Sequence, residues 1–443
     1  MLLLKHSTTM SPRNRAMPRR RSDMNSPHPQ AHAFVSAARA SCILAPLLCL
    51  APAFAQDEQL RISGYGNAHY MDHNGTPRIV GQRDLDDAFL QLREFSLFLD
   101  YTVSDRLTIS TEIEAGSSGN VFTANYAYFE YQATDQLRLR AGKILVPFLW
   151  YNENKPNYRQ TLMSQPFTAS LLAPVNGTPM ITHGFGWSDT GAMLAWTTDA
   201  GDRGILDVKG SVINGLGSDT QILDDNTITL DDGGMMPTIR PRDGLLQNRY
   251  SNELRDNNSN LATTLKVTYV DSELPIEIGV SWYRGAWDPE GNQDLGIYGV
   301  HLNYTEDDWM LRSEWVTAHV QQQAGLNPGG PASNISTGDY NMQAWYAELS
   351  YVPLRWEDGD DDCFIRVIAR YDDVDTNDKV AFTPWDRSRV TLGTEYQFTS
   401  NSRFRLEWQR QSIHSFGNAP APYVNAGGDD TIEMVMASVI FWF

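Results

Sequence analysis

Leu137-Arg138-Leu139-Arg140-Ala141-Gly142-Lys143-Ile144-Leu145 alternates strictly at its start and then runs into Val146-Pro147-Phe148, where the alternation ends. Leu137, Leu139 and Ala141 fall on one face, and Arg138, Arg140 and Gly142 on the other. That period of two belongs to a strand with an apolar side and a watered side. About forty residues without a clean period follow, including Tyr151, Asn152, Asn154, Lys155, Tyr158 and Arg159, then Pro166, Pro174, Gly177 and Pro179. Irregular stretches of this length are uncommon in compact domains unless they serve a function. Residues 145–190 are therefore read as a functional loop fed by a strand.

The same alternation extends in both directions. Phe95, Leu97, Leu99 and Tyr101 oppose Glu94, Ser96 and Asp100, while Leu107, Ile109 and Ile113 oppose Thr108, Ser110, Glu112 and Glu114. Beyond the loop, Leu206, Val208 and Val212 oppose Asp207, Lys209 and Ser211. Further alternating segments are expected at 261–270, 276–284, 297–304, 309–319, 342–354, 363–371, 389–398, 404–410 and 431–443, giving about sixteen strands. Connectors after even-numbered strands are mostly short, as at Ser104-Asp105 and Thr134-Asp135; those after odd-numbered strands are mostly long and acidic. A soluble sandwich explains the strands but not this asymmetry of connectors. Nor does it explain aromatics at strand ends: Tyr101, Tyr131, Tyr304, Tyr351, Tyr371 and Phe398. The expected fold is all-β, a transmembrane antiparallel β-barrel of about sixteen strands over 56–443, with 145–190 folded inward as a constriction loop.

Targeting points the same way. Cys42 to Ala55 is apolar, follows a basic segment and ends in Ala53-Phe54-Ala55, so 1–55 reads as a signal peptide with its extension, removed before Gln56. Met17 or Met24 are alternative starts, and Arg19-Arg20-Arg21 lies too far from the apolar core for a twin-arginine signal. No apolar run is long enough for a membrane helix. Losing seven basic residues and one acidic residue takes the formal net charge from −19 to −25, which excludes ordinary nucleic-acid binding. Cys363 is then the one remaining cysteine, so no internal disulfide forms. The chain ends in alternating apolar residues through Phe441 to Phe443, resembling the terminal strand that bacterial outer-membrane barrels present to their assembly machinery.

Arg140-Ala141-Gly142-Lys143 with Val146-Pro147-Phe148, and later Val212-Ile213-Asn214-Gly215, resemble the phosphate-selective porin O/P family in order and spacing. That resemblance covers essentially the whole mature chain. It implies a trimeric sixteen-stranded channel for small hydrophilic solutes in the bacterial outer membrane, in contact with lipid and lipopolysaccharide. Phosphate-selective members line the pore with cations. Here the inward-facing positions Arg138, Arg140, Lys209, Lys266, Arg312, Arg366, Arg370, Arg389 and Arg405 are interleaved with Glu112, Glu114, Glu130, Asp207, Glu277, Glu314, Glu348, Glu395 and Glu407. Two readings stay open: ion pairs that stiffen the wall, or a basic ladder built from Arg366, Arg370, Arg389 and Arg405. The solutes are thus anions such as phosphate, or cations and neutral solutes in a general porin.

Tyr151, Asn152, Asn154, Lys155, Tyr158 and Arg159 form the candidate constriction. If that segment is helical, Lys155 and Arg159 share a face; alternatively they tether the loop to Glu112 or Glu130. The clusters Asp84/Asp86/Asp87 and Asp372/Asp373/Asp375 are either solvated loop faces or holders of divalent cations that bridge lipopolysaccharide. The histidines His69, His73, His183, His301, His319 and His414 are scattered, with neither a nucleophile elbow nor a zinc-protease motif. A barrel enzyme is accordingly the weaker alternative, and neither cofactor nor metal is expected.

Overall fold

The computed structural model describes residues 59–74, 88–116, 122–171, 187–218, 249–251, 259–288, 291–321, 338–375, 378, 387–413 and 431–443. The signal peptide and the cluster Asp84, Asp86 and Asp87 lie outside these described residues.

Before the long loop run β1 (Leu60–Asn74), β2 (Phe89–Ser104), β3 (Leu107–Gly116), β4 (Phe122–Gln132) and β5 (Leu137–Leu145). The loop holds two short helices, α1 (Leu149–Glu153) and α2 (Phe167–Leu171), with a 3₁₀ turn at Asn157–Arg159 between them. Then come β6 (Ser188–Asp199) and β7 (Gly204–Ile213), a small separate pair β8 (Leu216–Ser218) and β9 (Arg249–Ser251), and β10 (Ala262–Asp271). The chain continues through β11 (Ile276–Ala286), β12 (Asp294–Glu306), β13 (Trp309–Val320), β14 (Tyr340–Asp358) and β15 (Asp361–Asp375). It ends with β16 (Arg387–Thr399), β17 (Ser402–Ile413) and β18 (Thr431–Trp442).

All strands except β8 and β9 pair antiparallel with their neighbours in one closed barrel, so sixteen strands form it. The ring closes between the two chain ends, with Tyr65 opposite Trp442 and Asn74 opposite Glu433. Phe443 completes the seam: its N–H donates to Gly64 O and its carbonyl accepts from Gly64 N–H, both at 3.0 Å. Closure leaves no unpaired edge, the condition for a sheet in hydrocarbon. The β8/β9 pair lies in the connector between β7 and β10, and each of its strands is only three residues long.

Alternation decides what each side chain meets. On β14, Tyr340, Met342, Ala344, Tyr346, Glu348 and Ser350 are buried, while Leu349 between the last two is exposed. The outer face carries Leu139, Leu194, Val212, Ile278, Val280, Val300, Val367, Leu392, Leu406 and Val439, all exposed. A continuous apolar belt of this extent is stable only against lipid. Exposed Tyr101, Tyr131, Trp309, Trp356, Tyr396 and Phe404 rim the short-turn end, and Tyr298, Trp315 and Tyr371 stand farther up the wall. Aromatic rings settle at such membrane–water boundaries because one end is apolar and the other polar.

The interior is not uniformly wet. Over β5–β7 and β10–β15 the inward residues of the long-connector half include Met193, Ile213, Leu295, Ile297, Val316, Ala318, Val320, Met342 and Val374. They pack with Val146, Phe148, Leu149, Phe167 and Trp187 of the loop and its flanks into one apolar cluster.

Candidate functional site

The segment between β5 and β6 is held to the barrel wall by polar contacts on nine strands. Asn152 pins its neck: its Nδ2 donates to Val146 O (2.8 Å) and Trp187 O (3.0 Å), and its Oδ1 accepts from Trp187 N–H (2.7 Å). The first turn of α1 is capped from outside. Glu314 Oε1 on β13 accepts from Trp150 N–H (3.0 Å) and Tyr151 N–H (2.8 Å), and Ser281 Oγ on β11 accepts from Leu149 N–H (2.9 Å). Early helical N–H groups have no intrahelical partner, so a wall carboxylate serves instead. Glu314 Oε2 also accepts from Thr168 Oγ1 at 2.8 Å, tying α2 to the same point.

At the other end of α1, Glu153 meets Lys209 of β7 (2.7 Å) and Lys266 of β10 (2.5 Å). Burial raises the Glu153 pKa, but Lys266 and Lys209 overcome it and hold the carboxyl at about 2. Beyond α1, Asn157 Nδ2 donates to Glu94 on β2, and Thr161 Oγ1 donates to Glu348 on β14 (2.5 Å). Glu407 on β17 accepts from Met163 N–H (2.8 Å), and Asp372 on β15 accepts from Phe167 N–H (3.1 Å). Arg370 donates to Ser164 O and Oγ, Arg389 to Gln165 O, Arg405 to Asn157 O and Gln160 O, and Arg403 to Tyr158 O.

Two wall glycines give this segment room. A Cβ on Gly299 would stand 2.7 Å from Leu149 Cδ2, and one on Gly393 would clash with Leu162 Cδ2. A larger residue at either position would force Leu149 or Leu162 to repack.

Of the six candidate constriction residues, Tyr151, Asn152 and Lys155 are buried, Asn154 and Tyr158 are half-buried, and Arg159 is exposed. Lys155 and Arg159 do not share a helical face, because α1 ends at Glu153 and Asn154 caps it. Lys155 instead lies where its charge acts on Glu94 and Glu114. Arg159 Nε donates to Tyr158 Oη at 3.1 Å.

The wall positions are equally specific. Arg140 pairs with Glu130, and Arg138 donates to Thr197 Oγ1 (3.4 Å). The candidate ladder is a set of ion pairs: Arg366 with Glu395 (2.8 Å), Arg370 with Asp372 (2.9 Å) and Glu348 (3.5 Å), Arg389 with Asp372 (3.2 Å), and Arg405 with Glu395 (3.1 Å). Asp372 is thus no loop-surface carboxylate. It is fully buried, because β15 runs to Asp375, past the end that the alternation suggests. Glu112 is buried with neither carboxylate oxygen hydrogen-bonded among the described residues, and Glu114 accepts from Asn125 Nδ2 (2.6 Å).

The alternation of the last hairpin contained one further residue. Arg403 stands two before Arg405 on the same face and meets Glu395 at 3.3 Å. Assigning Ser402 to the turn and opening the strand at Phe404 hides it. With Tyr158, Arg159, Thr161, Thr305, Met310, Arg312, Arg366 and Trp442, it lines an open cavity of about 460 Å³. Thr305, Met310, Arg403 and Trp442 all belong to the short-turn end of their strands. Within the cavity Tyr158 packs on Trp442 (6.0 Å between centroids), and behind it on Tyr65 (5.3 Å) and Phe98 (6.4 Å).

An apolar outer belt with aromatic rims around a charged interior makes this chain a multi-pass transmembrane β-barrel of the outer-membrane type. Comparison with known proteins agrees on the fold. Porins share this barrel fold: the anion-selective porin from Comamonas acidovorans superposes with a TM-score of 0.52 at 11% identity, over 87% of this chain and 99% of that one. The outer membrane channel DcaP of Acinetobacter baumannii superposes with a TM-score of 0.52 at 11% identity, over 87% and 97%. In sequence, an uncharacterized protein of Aquifex aeolicus (strain VF5) is 22% identical over 357 residues, 76% of this chain and 71% of its own. No family model matches.

Proposed function

We propose that this protein is a porin: a passive diffusion channel of the bacterial outer membrane for small hydrophilic solutes, with a preference for anions such as phosphate. The observation that carries this reading is the charged inner face of a closed sixteen-stranded barrel, against which residues 146–169 are hydrogen-bonded at nine strands. A segment tethered to so many wall positions narrows the passage without being free to leave it, and this is the constriction. Lumen-facing polar residues need water, and a barrel of this strand number holds an aqueous path.

Anion preference rests on the short-turn mouth. Arg159 and Arg312 there meet no carboxylate among the described residues, and Arg366 and Arg403 share Glu395 with Arg405. Fixed cations in a narrow, low-dielectric passage outweigh acidic loops that salt screens. The second reading, a cation-preferring general porin, draws on Glu94, Glu112 and Glu114 on β2 and β3. Both are channels; among the described residues no nucleophile–base arrangement gives an enzyme the same support.

The outer face of β1 to β6 supports a trimer. Among its larger side chains it presents the small residues Gly66, Ala68, Ala115, Ala124, Ala127, Ala141 and Ala192. Small side chains let a neighbouring backbone approach closely in a membrane. The terminal residues Phe441 and Phe443 are the proposed mark for the barrel assembly machinery.

Planar-bilayer reversal potentials under a salt gradient test the function. The wild-type potential is expected on the anion side, and Arg159→Glu should move it towards cations by more than half its value. A cation-side wild-type potential selects the second reading, and absence of ohmic conductance from folded protein overturns both.

A further inference from the structure

The cavity at the short-turn mouth holds two kinds of surface that a bare inorganic anion does not need together. One is cationic. Arg312 stacks its guanidinium over the Trp150 ring at 4.0 Å, and its Nε is buried with no hydrogen-bond acceptor among the described residues. Arg366 engages Glu395 through Nη1 alone, and Arg403 uses Nη1 and Nε. A guanidinium has five N–H donors in a planar fork, so donors remain on each of these groups. Glu395 is shared by Arg366, Arg403 and Arg405, and Arg159 joins Arg312, Arg366 and Arg403 as the fourth cation lining the cavity. The cavity therefore has an excess of positive charge.

The other surface is aromatic. Tyr158 and Trp442 line the same cavity with near-parallel rings, 27° apart at 6.0 Å. Arg403 stands over Trp442 at 4.7 Å. Tyr158 is fixed from behind by Tyr65 and Phe98 and through its carbonyl by Arg403. Its ring is thus pre-positioned. Flat apolar faces give nothing to a hydrated inorganic ion, but they take a ring out of water. A cavity of about 460 Å³ is of the size that holds a small organic ligand.

We propose that this cavity is a binding site for a ring-bearing organic anion, with its acidic group on Arg312, Arg366 and Arg403 and its ring against Tyr158 and Trp442. The proposal rests on the anion-channel reading, and it adds a solute class: aromatic carboxylates and anions of like shape bind here ahead of ringless ones. A carboxylate accepts two parallel N–H bonds from a guanidinium, so the fork geometry orients the group and leaves the ring to the aromatic wall.

The test is saturation-transfer NMR on the folded full chain in detergent micelles, titrated with benzoate, acetate, inorganic phosphate and benzyl alcohol. Benzoate should half-saturate at a concentration about tenfold below that of acetate, the factor expected for one added stacking contact. Benzyl alcohol, which keeps the ring without the charge, should be weaker than benzoate by a similar factor. Tyr158→Leu should remove the benzoate advantage and leave acetate unchanged, whereas Arg312→Gln should weaken benzoate and acetate alike. Trp442→Leu is avoided because that residue sits beside the barrel seam. Equal half-saturation of benzoate and acetate in the wild type overturns the site, as does a Tyr158→Leu effect equal on both. Conductance measured on the same preparation separates the two readings. Conduction with no benzoate preference removes the site alone, and benzoate binding without conduction removes the channel while leaving the site.

Discussion

Two walls of the barrel interior differ in how their charges are compensated. On β2 to β4, the inward face carries five carboxylates, Glu94, Asp100, Glu112, Glu114 and Glu130, against Arg93 alone, whose charge acts on Glu94 from the β2 bulge. Their partners are borrowed: Arg140 from β5 for Glu130, and Asn157 from the tethered segment for Glu94. On β15 to β17, six arginines (Arg366, Arg370, Arg387, Arg389, Arg403 and Arg405) share the inward face with Asp372, Glu395 and Glu407. There the surplus donors bind the carbonyls of the tethered segment. The arginine wall thus anchors the segment by donating to its backbone. The acidic wall anchors it by accepting from its side chains. Only β18 and β1 separate the two walls in the ring, so opposite charges stand on neighbouring stretches of the lining.

The largest effect should come from breaking the arginine wall at its shared acid. Glu395→Ala leaves Arg405, which is 1% exposed, without its carboxylate. Removing one partner of a buried pair costs about 3–5 kcal/mol, so the urea midpoint of the folded barrel should fall sharply. A midpoint within error of wild type would mean that the backbone carbonyls alone satisfy these arginines.

A smaller effect is expected at the tether between the walls. The Glu153 carboxyl titrates at about 2 in the folded protein, below its ordinary value near 4.5. A depressed carboxyl stabilises above the unfolded pKa, and that contribution disappears as pH falls through the folded one. Between pH 7 and 5, Glu153 should therefore add no pH dependence to thermal stability. Below about pH 4.5 the wild type should lose stability that Glu153→Gln, lower at neutral pH, no longer has to lose. Parallel melting curves for the two proteins from pH 7 down to pH 2 would break the assignment.

The smallest effect should be on the acidic wall. Glu112 is buried without a hydrogen bond to either carboxylate oxygen among the described residues. Glu112→Gln removes a poorly compensated charge, and its stability should lie within about 1 kcal/mol of wild type or above it. A loss as large as that of Glu395→Ala would show the two walls to be compensated alike.

The residues also show how far local pattern reaches. Alternation at Leu137-Arg138-Leu139-Arg140 and its counterparts is a backbone property, so strand faces were legible to within one residue. That is why Arg366, Arg370, Lys209 and Lys266 stand on the buried face where the pattern puts them. Strand ends were less legible. Asp372 reads as loop because an aspartate run resembles a solvated connector, and only the pairing of β15 with β14 and β16 carries the strand past it.

The tethered segment was legible as an interruption and not as a shape. Its period fails because its side chains answer to partners far away in sequence: Glu153 to Lys266, Thr161 to Glu348, Met163 to Glu407. The spacing of Lys155 and Arg159 suggests a helical face, but the turn geometry after Asn154 separates them, burying one and exposing the other.

By itself, then, the sequence determined the class of fold, the approximate number of strands and the face of the charges that lie well inside a strand, because those follow from a period of two and from connector length. Which arginine meets which carboxylate was decided by tertiary structure alone, since closing the barrel sets the register between strands. So was the cavity that combines Arg312, Arg403, Tyr158 and Trp442, whose positions in the chain run from 158 to 442 and meet only across the closed ring.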